Sequence, residues 1–188
     1  MDVFEAIERR GSVKAFESRA VPRAQIERLL EAAIRAPNHR LTEPWGFHVV
    51  RGESKRRLAE LRRELRARKF EDPDAPEVRK SLEKAYRDAA EVPAIIVVTT
   101  AVAEDPVQRE EDYAATWCAI ENLLLSATAL GLGTYVRTGA LIGDGRLREI
   151  LDLHDDRRPV AAVYLGYPAE PPKLKPRTPA AQKTRWLD

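Results

Sequence analysis

Residues 94–100 read Ala-Ile-Ile-Val-Val-Thr-Thr. An unbroken run of that length, dense in β-branched side chains, suits a strand buried on both faces. Such a strand needs a sheet, and the sheet needs a covering layer on each side. The rest of the chain must supply both.

The covering material is mostly helical. Asp2 can cap a short first helix on which Phe4, Ala6 and Ile7 share an apolar face. Gly11 stands where that helix should end, and a glycine can take left-handed geometry there. From Pro22 to Arg35, Ile26, Leu29, Leu30, Ala33 and Ile34 recur at helical spacing until Pro37 stops the pattern. Residues 36–45 are a loop between two prolines, and 47–50 read as a strand. Residues 54–70 and 77–91 are charged helices separated by the turn-rich stretch 71–76. They mix both charge signs, which marks a solvated face, and they carry no functional signal. Residues 112–130 form a long helix of low charge, apolar on most sides and therefore a core helix. Cys118 lies on it and reads as a small core filler rather than a nucleophile. Gly131-Leu132-Gly133 ends the helix. A short strand at 134–136, a helix at 144–151 and a strong strand at 159–167 follow. The tail from Pro168 is rich in proline and basic residues, hence extended over another surface. Its part from Pro171 has the character of an arm lying on a neighbouring subunit. The order gives an α+β fold, one sheet flanked by helices, in a single domain over 1–188.

Composition narrows the function. With 32 basic and 30 acidic residues the formal charge is +2, which argues against nucleic-acid binding as the main task. A single cysteine excludes an internal disulfide framework and a cysteine-rich metal site. No stretch approaches a membrane span and no apolar signal core opens the chain, so a cytoplasmic protein without a membrane partner is expected.

The chemistry gathers at Arg9-Arg10-Gly11-Ser12-Val13-Lys14. Guanidinium forks, free backbone N–H groups, a hydroxyl and an ammonium in so short a span suit a phosphorylated ligand. The plain alternative is a basic helix end that complements the helix dipole. His39 is the one candidate proton donor, and a structural or cofactor hydrogen bond explains it as well. His48 and His154 have no assigned role, and Trp45 is an interface or core anchor. No catalytic acid, nucleophile or metal-ligand set stands out.

Three stretches, in order, resemble the signatures of the FMN-dependent nitroreductase family. Arg9 to Lys14 is similar to its opening Arg-Arg-Ser-x-Arg/Lys. Ala36-Pro37-Asn38-His39-Arg40-Leu41-Thr42-Glu43-Pro44-Trp45 is similar to its Ala-Pro-(Ser/Asp)…Gln-Pro-Trp, and with His39 it is nearest to the small YdjA-like branch. Gly131-Leu132-Gly133-Thr134-Tyr135 with Arg137-Thr138-Gly139 matches the third. The resemblance covers nearly the whole chain. It implies a mostly antiparallel sheet in three layers and a homodimer with shared flavin sites. By the same resemblance Arg10, Gly11 and Ser12 hold the FMN phosphate and ribityl chain, and Lys14 reaches the pyrimidine edge. Arg35 and His39 contact the FMN of the other subunit. Val136, Arg137 and Thr138 form a turn against the ring, and Arg177 of Lys175-Pro176-Arg177 meets the phosphate. The implied activity is an FMN-dependent NAD(P)H oxidoreductase that reduces nitroaromatics, quinones or similar small aromatic acceptors in alternating hydride transfers. Another flavin reaction on the same scaffold, such as dehalogenation or dehydrogenation, stays open, as does non-catalytic binding of a phosphorylated ligand.

The chain departs from the family pattern in three places. Gly11 has no side chain where relatives often carry Arg or His, and Glu43 stands where Gln is usual. The extra helical insertion of larger members is missing, which implies an open pocket.

Overall fold

The computed structural model describes residues 1–187. The β-branched run becomes β2 (Ala94–Ala101), which lies inside a four-stranded sheet with β1 (Trp45–Val50), β3 (Gly133–Arg137) and β4 (Arg157–Gly166). The order is β1-β2-β4-β3 and every pairing is antiparallel. The two interior strands are the two most continuously apolar runs of the sequence. A register shift at Val98/Thr99 bulges the β2–β4 pair.

Side chains of the interior strands alternate between two cores. Ile96 and Val98 of β2, with Ala161, Val163 and Leu165 of β4, face α2 (Arg23–Ala33) and α5 (Pro106–Ala129). Ile95, Val97, Ala162 and Tyr164 face the opposite way, toward α3 (Gly52–Ala67), α4 (Pro76–Ala90), α6 (Ala140–Gly143) and α7 (Gly145–Leu151). The three-layer expectation therefore holds. The charged helices α3 and α4 form the back layer, and they contribute Leu58, Ala59, Leu61 and Ala89 to the core beneath it.

Several local expectations change. The first helix, α1 (Val3–Arg9), is capped as expected, since the Asp2 side chain accepts from the Glu5 N–H at 2.9 Å. It buries only Ala6, however, and Phe4 is 74% exposed. Gly11 has no left-handed backbone, in contrast to Gly131, which ends α5 at φ +73°. Helix α5 starts six residues earlier than its apolar pattern, because Asp105 caps it and Pro106 fits its first turn. Cys118 is exposed on α5, not packed in the core. The helix expected at 144–151 forms as α7, capped by Asp144, whose carboxylate accepts from the Arg146 N–H at 3.0 Å, and the short α6 precedes it where no helix was expected.

The tail is extended until a short turn at Ala180–Lys183. Its first part packs on its own chain. The Ala169 N–H donates to the Ala15 carbonyl, and Phe16 bridges Pro168.

Candidate functional site

Segment 10–16 leaves α1 in extended form and lies along the outer edge of β3. The Val13 N–H donates to the Thr134 carbonyl at 2.9 Å, and Ser12 bridges Thr134 in parallel. The β3 edge thus pins the backbone at Ser12 and Val13, in the middle of the candidate phosphate residues. The tail then crosses this segment. A Cβ on Gly11 would stand 2.6 Å from Pro172 Cβ, so the glycine is required by close approach and not by backbone conformation.

Between segment and tail lies a cavity of about 980 Å3. Arg10, Gly11, Ser12 and Lys14 line it from one side, Lys173, Lys175 and Arg177 from the other, with Tyr135 and Glu121 between. Its five cations, counting Arg10, Lys14, Lys173, Lys175 and Arg177, face three carboxylates, Glu8, Glu121 and Glu170. The surplus is positive, and a partly enclosed wall strengthens its field. Arg10 Nε is 3.6 Å from Glu121 Oε1, which steadies the guanidinium while its fork remains available. This is anion-binding chemistry. Five of the residues expected in the site, Arg10, Gly11, Ser12, Lys14 and Arg177, therefore share one cavity.

Arg35 and His39 do not line it. Arg35 is exposed just beyond α2. His39 opens a 3-10 turn (His39–Leu41), with its Nδ1 2.7 Å from Glu111 Oε2. The loop around it is held tightly. Thr42 donates to the buried Asp112 at 2.6 Å, and the Glu43 N–H donates to Asn38 Oδ1 at 3.0 Å. Arg40, Leu41 and Glu43 all have positive φ (55°, 53° and 43°). Non-glycine residues take that region at a cost, and surrounding bonds must enforce it. Glu111 and Glu121 are ten residues apart on one helix, so the His39 and Arg10 stations are separated by about 15 Å along α5.

Val136, Arg137 and Thr138 stand at the end of β3, before Gly139 at φ +81°. Val136 packs into the front core, and Thr138 is exposed. The Arg137 side chain goes to the back. Its Cζ lies 4.7 Å from the Tyr135 ring centroid and 5.0 Å from that of Tyr164, and its Nη2 is 3.4 Å from Asp88 Oδ2. Arg62 of α3 joins this group, donating to the Tyr164 hydroxyl at 2.8 Å. Burial, and next the neighbouring Arg62, lower the pKa of Arg137, while burial raises that of Tyr164. Sequence reasoning missed Tyr135, Glu121, Arg62 and Asp88. Only the alternating Lys173, Lys175 and Arg177 had a local signal, a basic residue at every second position.

A smaller groove of about 450 Å3 separates α3 from α7. Two ion pairs lie within it, Arg56 with Glu53 and Arg146 with Glu64, and Arg57, Glu60 and Glu149 also line it. No group of three or more His, Cys, Asp or Glu among the described residues could hold a metal ion. No helix among them is long and apolar enough to cross a membrane.

The family model described as Nitroreductase family matches residues 7–167. YfhC of Bacillus subtilis (strain 168), provisionally named an NAD(P)H nitroreductase, is 35% identical over 176 residues, covering 93% of this chain and 89% of its own. The crystal structure of a nitroreductase-like family protein from Bacillus cereus is 30% identical and superimposes with a TM-score of 0.84, covering 100% of this chain and 97% of its own. A provisionally named nitroreductase from Desulfovibrio desulfuricans, crystallised in complex with FMN, is 25% identical with a TM-score of 0.77, covering 100% and 98%.

Proposed function

The chain belongs to the nitroreductase family, and from that membership we propose an FMN-dependent NAD(P)H oxidoreductase that passes electrons to nitroaromatics, quinones or similar small aromatic acceptors. The observation that carries this reading is the cavity in which Arg10, Ser12, Lys14 and Arg177 converge from two ends of the chain.

The donor set fits FMN. Arg10 and Arg177 supply guanidinium forks for a phosphate, which they can grip bidentately. The Ser12 hydroxyl adds a further donor. Lys14, on the same segment, brings a cation toward the pyrimidine edge. Bound FMN supplies the two-electron redox chemistry, and the protein supplies position and electrostatics. The chain needs no nucleophile for such work.

The homodimer belongs to the same reading. Glu111, Ala114, Cys118 and Glu121 are exposed on α5 at alternating spacings of three and four, the seam along which two helices pack. Val3, Phe4 and Ile7 of α1 leave apolar surface open beside it. A partner helix crossing on this seam would carry its own Arg35 and His39 toward the Arg10 cavity and close the gap of about 15 Å along α5. Each flavin is then held by both chains, within one domain per chain. An NAD(P)H donor also fits work in the cytoplasm.

The test is colour and its loss. Purified protein should be yellow and release FMN on denaturation. NADH or NADPH should bleach it without oxygen, and a nitroaromatic or a quinone should restore the colour. A protein that takes up FMN but is bleached by neither nicotinamide would contradict the proposed activity.

A further inference from the structure

Behind Tyr135 lies a group of charged side chains to which the cofactor reading gives no work, since it places Arg137 only within a turn against the ring. Arg62 and Arg137 come from α3 and β3 and meet at the ring of Tyr164, and Arg137 also covers the ring of Tyr135. The group's carboxylate is Asp88, and Lys84 also takes it, at 3.1 Å. Arg137 and Lys84 thus share one carboxylate, while Arg62 is held by the Tyr164 hydroxyl. The Arg137 Nε is buried with no hydrogen-bond partner. Positive charge is left uncompensated in a place where water screens it poorly.

Tyr135 joins this group to the site. Its ring lies under the Arg137 guanidinium, and the same residue lines the cavity. We infer that Arg62 and Arg137 form a cationic backing to the cavity that raises the electron affinity of the ring bound there. The inference rests on the flavin reading and adds to it the residues that bias the reduced state. A reduced ring holds more electron density than an oxidised one, so nearby positive charge favours it whichever donor delivered the electrons. Burial and mutual repulsion already act on Arg137 in the direction expected of an under-compensated cation. Neither side chain has to touch the ring, because a unit charge within about 10 Å at an effective dielectric near 20 shifts an equilibrium by roughly tenfold. Helix α3 thereby acquires a function that its solvated sequence gave no sign of.

The inference makes two predictions of opposite sign. Arg62→Gln removes a cation and keeps a donor for the Tyr164 hydroxyl. Asp88→Asn removes the compensating carboxylate. The readout is the midpoint potential of the FMN-loaded protein, measured against indicator dyes, with melting temperature and FMN affinity followed in parallel. Arg62→Gln should reduce the ratio of reduced to oxidised flavin at fixed poise about tenfold, a shift of about 30 mV for a two-electron couple. Asp88→Asn should move it upward, and Arg62→Lys should stay near the parent. A purely structural role would move both variants the same way or neither, and that result overturns the inference. Should Arg62→Gln fail to fold, the upward shift of Asp88→Asn and the retained potential of Arg62→Lys still decide it. Protein that binds no flavin overturns this inference together with the cofactor reading. Yellow protein whose potential ignores all three changes overturns the inference alone.

Discussion

His48 is half-buried on β1, with Nε2 3.5 Å from Thr99 Oγ1. Burial first, and the Arg157 charge second, lower its pKa from the ordinary 6.5. The fold therefore favours the neutral ring, and the unfolded chain takes up the proton first as the pH falls. The resulting stability is complete above pH 6.5 and declines below it until the folded-state pKa is passed. His48→Gln should flatten that decline, read as the difference in urea midpoint between about pH 7.5 and about pH 5. Identical declines in parent and variant would remove His48 as the cause. Not every residue of this kind is legible in a sequence. Arg10, Ser12 and Lys14 were legible because their side-chain chemistry is itself the signal. The positive φ of Arg40, Leu41 and Glu43 was not, since those residue types normally avoid the region and the bonds to Asn38 and Asp112 enforce it. The Arg62–Asp88–Arg137 group was equally silent, because its members come together only when three separate elements pack.

The elements followed the apolar patterns closely, and their boundaries followed capping. Strands β2 and β4 were legible as runs because both of their faces are buried. The start of α5 was mislaid because its first turn is polar, and the cap at Asp105 and Pro106 had to be weighed above periodicity. The conformational reading of Gly11 failed for a different reason. A glycine can answer to backbone geometry or to crowding, and the chain that crowds it arrives more than 150 residues later, as the tail at Pro172. Gly11→Ala puts a methyl group against a rigid proline ring, so the tail has to lift. A cost on the order of 1–3 kcal/mol is usual for such overpacking. The urea midpoint should fall, and FMN affinity should fall with it because one wall of the cavity is that tail. Unchanged FMN affinity would show that the tail contributes nothing to the site.

At the scale of the whole molecule, the dimer determines whether Arg35 and His39 belong to the site at all. Obligate interfaces bury on the order of 2,000–5,000 Å2 in total. The melting temperature should therefore rise with protein concentration. A sharper check mixes two variants after co-refolding, Arg10→Ala and His39→Ala. In a mixed dimer with shared sites both lesions fall in one site and leave the other intact, so FMN binding should reappear where neither parent variant binds well. A yellow, active monomer by light scattering would refute sharing. The central claim, that the cavity beneath the tail is a cofactor site built around a phosphate, is tested most directly by titrating the apoprotein with FMN and with riboflavin, which lacks the phosphate, and following the quenching of flavin fluorescence. Charge-assisted contacts of about 1.5–3 kcal/mol each, from Arg10 and Arg177, predict that FMN binds at least a hundredfold more tightly than riboflavin. Equal affinity for the two flavins, or no binding of either, would contradict it.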